Sequence, residues 1–227
     1  MAAPTFDGTE ILRTIQVFHE KNGIVELRIP QAGKFRTVIG YDNDPKYFVD
    51  SVAVLAEDKF PGYYFTLNPI KPELVARSAN TYTKYAQSGT STSDSDVIRR
   101  RWLPIDLDPI RAAGISSTDK EHTAALEKTV EIRQWLIDNF GWSANAFVRA
   151  DSGNGGHLVV RIDLPNDKES LELITRCLDA LDLKLSNEAI KVDTGIANAA
   201  RIWKIYGTFA RKSSDIPERP HRMGKLL

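Results

Sequence analysis

Residues 146–163, Ala-Phe-Val-Arg-Ala-Asp-Ser-Gly-Asn-Gly-Gly-His-Leu-Val-Val-Arg-Ile-Asp, decide the fold. Gly153, Gly155 and Gly156 break an otherwise apolar-rich stretch, which reads as two strands, Ala146–Ala150 and His157–Asp163, folded about a tight turn. A helix is predicted on each side. Upstream, Thr118 and Glu121 have capping-box spacing, and the helix they open carries Leu126, Val130, Ile137 and Phe140 inward before stopping at Gly141. Downstream, Asn166 and Glu169 repeat that logic for a helix burying Leu171, Ile174, Leu178 and Leu181, with Cys177 a small buried hydrophobe on its flank. One strand ends at Asp108 before the first helix, and another, Ala189–Asp193, follows the second. The order β-α-β-β-α-β predicts a split βαβ, ferredoxin-like (RRM-like) sheet and an α+β class.

The first ninety residues alternate less regularly. Thr9–His19 places Ile11, Leu12, Ile15 and Phe18 on one helical stripe. Residues 24–30 and 35–41 read as a hairpin turning at Gln31-Ala32-Gly33, and Asn43 or Asp44 caps a helix with Pro45 at its first position. Phe48, Val52 and Leu55 are that helix's buried stripe; a strand at Tyr63–Leu67 and a helix near Pro72–Ala86 follow. The polar run Ser88–Asp96 reads as a mobile loop and as the boundary between an N-terminal αβ lobe, 1–96, and an RRM-like lobe, 97–227.

Composition sets limits. The chain has 227 residues, 42% hydrophobic and 26% charged, as in ordinary globular domains. Apolar runs are too short for a membrane span and MAAPTFDGTE does not resemble a secretory leader, so a cytoplasmic protein with no membrane partner is expected. A single cysteine excludes an intrachain disulfide and a zinc site built on several thiolates.

Three stretches carry chemistry. In Leu103-Pro-Ile-Asp-Leu-Asp108 a side-chain period of two sends Leu103, Ile105 and Leu107 to one face and both Asp106 and Asp108 to the other. Two carboxylates about 7 Å apart on one strand repel, and a pair of Mg²⁺ or Mn²⁺ ions is their natural occupant; the plainer alternative is an edge strand ending in solvated aspartates. Asp151-Ser-Gly-Asn-Gly-Gly-His157 offers open backbone N–H groups as an anion nest, the Ser152 hydroxyl and the His157 ring N–H, or else a hairpin turn with a structural histidine. It lacks the Gly-Lys-Ser/Thr of a Walker loop. In the third, Asp193 closes a strand, and Arg201 and Lys204 fall on opposite faces if residues 201–206 are extended, or on one side if the chain turns near Asn198.

In this order, D-x-D, then Ser…His, then a lone Asp followed by basic residues, the chain resembles the archaeo-eukaryotic primase superfamily, and within it the primase–polymerases of phages, plasmids and CRISPR systems. Ser116-Ser-Thr-Asp-Lys-Glu121 resembles a stretch that follows D-x-D in that group. Asp193, Asn198, Arg201, Ile202, Lys204, Gly207 and Thr208 match its third motif. The resemblance covers residues 100–227 and is loose before them. It implies a primase-type core with an N-terminal lobe packed on the RRM-like sheet, acting as a template-dependent nucleotidyltransferase that makes or extends primers. By position, Asp106, Asp108 and Asp193 would be catalytic metal ligands. Ser152, Gly155, His157, Arg201 and Lys204 would bind the nucleotide, and Lys212 and Arg222 would touch phosphate or template. Implied cofactors are two Mg²⁺ or Mn²⁺ ions without zinc. Implied partners are nucleoside triphosphates, a single-stranded DNA template with its primer, and a helicase or accessory domain in a longer protein.

Two other classes compete. A replication nickase needs a His-x-His pair, which His19, His122, His157 and His221 do not form. A non-catalytic single-stranded nucleic-acid-binding module would stack bases on Trp203 and Tyr206. Thirty basic against thirty acidic residues argue at first against nucleic acid. Residues 191–227, however, hold eight basic and three acidic side chains, while the two long predicted helices are acidic, which predicts a polarised molecule.

Overall fold

The computed structural model describes residues 5–30 and 37–227, so the turn predicted at Gln31-Ala32-Gly33 lies outside the described residues. In the N-terminal part, α1 (Gly8–Phe18) is capped by Asp7, whose carboxylate accepts from Thr9 and Glu10 N–H. Strands β1 (Val25–Pro30) and β2 (Thr37–Asp42) pair antiparallel, Val25 facing Asp42 and Pro30 facing Thr37. Asp44 caps α2 (Pro45–Ala56), which buries Phe48, Val52 and Leu55 as predicted. After β3 (Tyr64–Thr66) the helix predicted at Pro72–Ala86 is only a 3₁₀ turn, Pro72–Arg77, followed by a two-residue strand, β4 (Tyr82–Thr83). Asn80 at φ 52° breaks the helix, and β4 pairs with the edge of β2.

The second half follows the predicted order: β5 (Arg99–Pro109), α3 (Asp119–Phe140), β6 (Phe147–Asp151), β7 (Gly156–Pro165), α4 (Lys168–Leu185) and β8 (Ile190–Val192). Short strands β9 (Ile202–Lys204), β10 (Phe209–Ala210), β11 (Arg222–Met223) and β12 (Lys225–Leu226) complete the chain. The β12-β6-β7-β5-β8 sheet is antiparallel throughout and contains the split βαβ arrangement, with β12 added at one edge. The other large sheet, β4-β2-β1-β3-β9, takes its last strand from the C-terminal half. One apolar cluster runs from Ile11 and Phe48 through Trp102 and Ile105 to Leu178 and Leu226. The chain is thus α+β, with two sheets sharing a core. Among the described residues no helix is long and apolar enough to cross a membrane.

Strand β5 is covered on both faces. Leu103, Ile105 and Leu107 are buried, and their face is the one α3 packs on. A Cβ on Gly156, paired with Leu107, would lie 2.5 Å from both the Ala125 carbonyl and the Thr129 methyl of α3. On the opposite face the Trp102 ring meets Phe18 edge-on at 5.1 Å and its indole N–H donates to the Phe18 carbonyl. The close approach at Gly156 also corrects the predicted orientation of α3. Small Ala125 and Thr129 sit at the close contact, and Ile132 and Leu136 follow on the same buried side, whereas Val130 is 47% and Phe140 60% exposed.

Smaller corrections have local causes. Asp167, not Asn166, caps α4, because the Asn166 amide instead donates to the Asp94 and Val97 carbonyls. Leu171 lies on the exposed side of α4, and Cys177 is half-buried. The Ser88–Asp96 run is wired to the rest of the fold. Thr92 is buried, its N–H donating to Glu26 and its carbonyl accepting from Arg28, while the Asp94 carboxylate accepts from Ala200 N–H.

Gly156→Ala tests the close helix–sheet contact: driving a methyl against the Ala125 carbonyl should cost about 1–3 kcal/mol, read as a lower urea midpoint at unchanged m value.

Candidate active site

A cleft of about 380 Å³ opens between the two sheets where β5 ends. Asp106, Asp108, Ser152, His157, Asp193, Arg201, Lys204 and Lys212 all line it, so residues from four separate stretches meet there. Register explains the convergence. His157 on β7 pairs with Asp106, and Asp193, the residue after β8, donates its N–H to the Asp106 carbonyl. His157, Asp106 and Asp193 therefore form one row across three strands, with Asp108 two residues further along β5. Gly155 stands opposite Asp108. A Cβ there would lie 2.5 Å from the Leu107 carbonyl and 3.2 Å from an Asp108 carboxylate oxygen, so only glycine lets the turn approach this closely.

Charge is unevenly distributed along the row. Burial works against ionisation of Asp106, but the His157 imidazole, with Nε2 3.4 Å from Oδ1, and the Lys212 and Arg201 cations hold its pKa below the ordinary carboxylate range. Asp108 moves the other way: burial, then the charge of Asp106, pushes it up, despite Lys212 and an Arg111 guanidinium 3.6 Å away. The charge of Asp106 thus disfavours a second charge on Asp108 beside it. Tyr64 on β3 lines the cleft, and burial, then both aspartates, raises its pKa.

Among the described residues no three Asp, Glu, His or Cys side chains are gathered closely enough to form a ready metal cluster. The donor chemistry still fits hard divalent cations. It consists of two carboxylates from one strand and a third, Asp193, just past the neighbouring strand in the same row as Asp106, all oxygen.

His157 is held from behind. Its Nδ1 lies 2.8 Å from the Tyr206 hydroxyl, which also accepts from the Trp203 indole N–H at 2.9 Å, and Trp203 stacks on the imidazole with centroids 4.1 Å apart. Among the described residues the Tyr206 proton has one acceptor in reach, Nδ1, since the other contact is itself a donor. Burial raises the Tyr206 pKa well above its ordinary value, so that proton stays in place. The neutral imidazole therefore carries its own proton on Nε2, directed at the Asp106 side of the cleft.

The glycine turn does not present the open anion nest expected from its composition. Gly153 N–H is taken by Asp151, and the Asn154 and Gly155 N–H groups point to Ser152 Oγ. The Ser152 hydroxyl donates to the Gly155 carbonyl, so it closes the turn. What the turn offers the cleft is Asn154, whose Nδ2 is buried without a partner. Arg201 and Lys204 both line the cleft, with a turn from Asn198 to Arg201 leading straight into the extended β9, so neither simple alternative describes the stretch alone. Arg201 Nη2 clamps the Gly195 carbonyl at 2.5 Å while its Nε is unpartnered. Lys204 donates to the Phe209 carbonyl, and burial, then Arg211, lowers its pKa to about 7. Arg222 lies outside the cleft and is spent on Asp119, at 2.6 Å, and on the Ser117 carbonyl. Trp203 and Tyr206 are buried, which removes them as stacking platforms for bases.

The Ser116–Glu121 stretch acts as a clamp. Ser116 Oγ donates to the Lys212 carbonyl, Ser117 N–H to Asn154 Oδ1, and Glu121 closes the capping box while pairing with Arg219. It therefore anchors both the turn and the tail that carries Lys212. Arg111, Asn154 and Tyr64 were not identified as site residues from the sequence, and Tyr206 was read there as a base-stacking platform rather than as the partner of His157. Only Asn154, inside the glycine turn, carried any signal.

No protein-family model matches the chain, and no curated protein matches it.

Two outcomes test the site. Tyr206→Phe should shift the neutral His157 ring toward the Nδ1–H tautomer, visible in long-range ¹H–¹⁵N spectra, and cost about 1–3 kcal/mol through the unpaired indole N–H. The Lys204 pKa falls from 10.5 to about 7 on folding, so the native chain binds one proton fewer between those values and its stability rises with pH across that window. Lys204→Met should lack that rise; any advantage it holds over wild type at pH 6 should shrink by pH 9 in urea titrations.

Proposed function

We propose that this protein is a template-dependent nucleotidyltransferase, a primase–polymerase of the archaeo-eukaryotic primase kind. The observation that carries this reading is the row His157–Asp106–Asp193, with Asp108 beside it, facing Arg201, Lys204 and Lys212 across one cleft. Carboxylates on one wall and cations on another suit a substrate that brings both metal ions and phosphates. The resemblance in motif order over residues 100–227 points to the same chemistry.

In the reaction the primer 3′-oxygen attacks the α-phosphate of an incoming nucleoside triphosphate, and pyrophosphate leaves. Asp106, Asp108 and Asp193 would hold Mg²⁺ or Mn²⁺, which when bound supplies Lewis acidity at the hydroxyl and the phosphates. His157 donates its Nε2 proton to a phosphate oxygen, in a ring orientation set by Trp203 and Tyr206. Arg201 and Lys212 balance phosphate charge. Lys204, with its pKa near 7, takes up a proton as the triphosphate enters and so pairs with it most strongly once the site is filled. The Asn154 amide offers a further donor. Positioning and electrostatics account for most of the acceleration, since the side chains form no covalent intermediate. A single-stranded DNA template, its primer and an accessory or helicase domain are the partners this reading requires.

Asp106→Ala with Asp108→Ala removes both β5 carboxylates at the open end of the strand. The variant should keep the wild-type circular dichroism spectrum and lose Mn²⁺- or Mg²⁺-dependent incorporation of labelled nucleotide on a single-stranded template by at least a hundredfold. Undiminished synthesis by the folded variant would refute the assignment.

A further inference from the structure

A second cavity, of about 20 Å³, lies between the end of α1 and the start of α2 and shares no lining residue with the cleft. His19, Glu20, Asn22, Asp42, Asn43 and Asp44 supply its polar lining, and among the described residues no lysine or arginine lines it. Asp42 is 1% exposed, and among the described residues neither of its carboxylate oxygens has a hydrogen-bond partner; nor does the buried Nε2 of His19. A buried carboxylate without partners is among the most costly groups a fold can carry. Burial, then the charge of Asp44, pushes its pKa up to about 7, which reflects how poorly the cavity serves the charge by itself.

The volume admits one water-sized or ion-sized occupant. Glu20 is largely exposed and pairs with Arg101 at 3.7 Å, but among the described lining residues no cation faces Asp42 and Asp44, which favour a positive occupant, and the side chains are mostly hard oxygen donors, from carboxylates and amides. Asn22, at φ 66°, turns the chain so that the 19–23 loop faces the β2–α2 junction. We infer that this cavity binds one oxygen-preferring divalent cation, with Asp42 as its anchoring ligand and Asp44 as a second. The ion would tie the loop after α1 to the start of α2. This site stands apart from the proposed polymerase chemistry and does not depend on it.

The test uses the full chain carrying Asp106→Ala and Asp108→Ala, so that the paired cleft carboxylates do not compete. After removal of metal with EDTA, CaCl₂, MnCl₂ and MgCl₂ are titrated separately at pH 8 by calorimetry, and melting temperatures are recorded. One ion per chain should bind, with a rise in melting temperature for at least one of the salts. Adding Asp42→Asn should weaken that binding at least tenfold and abolish the rise, while the variant melts in EDTA at or above its parent, because an amide replaces an unpaired charge. Asp44→Asn, which preserves the α2 cap, should weaken binding severalfold and serves if Asp42→Asn does not fold. Absence of binding and of any thermal shift with all three salts at millimolar concentration would overturn the inference. So would equal affinity in the Asp42 variant, or a stabilised Asp42→Asn whose parent shows no response to ions, since a proton would then satisfy the carboxyl.

Discussion

The organisation of this molecule depends on the burial of both faces of β5. Strands alternate their side chains, so a strand covered by helices on one side needs a second cover for the other. The chain supplies α3 and α4 for Leu103, Ile105 and Leu107, and the N-terminal part for Trp102. That second cover ends before Asp106. The two aspartates therefore emerge where the apposed sheets diverge, close to an apolar core yet open to a ligand. Their pKa values diverge for this reason, one held down by its cationic neighbours and the other pushed up by burial and by the first.

The two sheets are not independent pieces laid together. Strand β9 belongs by sequence to the C-terminal half but pairs with β3, with Tyr64 opposite Lys204 and Phe65 opposite Trp203. The same segment provides Trp203 and Tyr206 behind His157, so the strand that joins the sheets also orients the histidine. Asn68 secures the other end. Its Oδ1 accepts from the Arg101 and Trp102 N–H groups, which lie at a register shift in β5, and its amide donates to the Ala199 carbonyl. Such a site is built on strand registers and buried hydrogen bonds, which hold side chains more precisely than mobile loops do.

The +5 surplus of residues 191–227 is used in two ways. Arg219 and Arg222 pair with Glu121 and Asp119 at the start of α3, neutralising part of that acidic helix. Arg201, Lys204 and Lys212 line the cleft. A count of charges along the chain finds the polarity but cannot separate these uses, because a guanidinium's role depends on which carboxylate the fold brings within reach.

Local rules were enough to read β5 through β8, the Thr118–Glu121 capping box, the Gly141 stop and the shared face of Asp106 and Asp108, since each depends on residues at most a few positions apart. The meeting of Asp106, His157 and Asp193 in one row was legible only in part. Motif order suggested it, but strand pairing produced it. The sequence could not reveal that Gly156 would rotate α3 away from its larger apolar stripe, that the glycine turn would spend its N–H groups on Ser152 and Asp151, or that Arg222 would be consumed by Asp119. Nor could it show that Tyr206 fixes the tautomer of His157, or that Asp42 is buried without a partner. Each of these depends on atoms distant in sequence competing for the same space or the same proton. Periodicity and capping chemistry, which act over one or two turns of chain, were determined by the sequence alone; packing and hydrogen-bond satisfaction, which act between elements, were decided only by the tertiary structure.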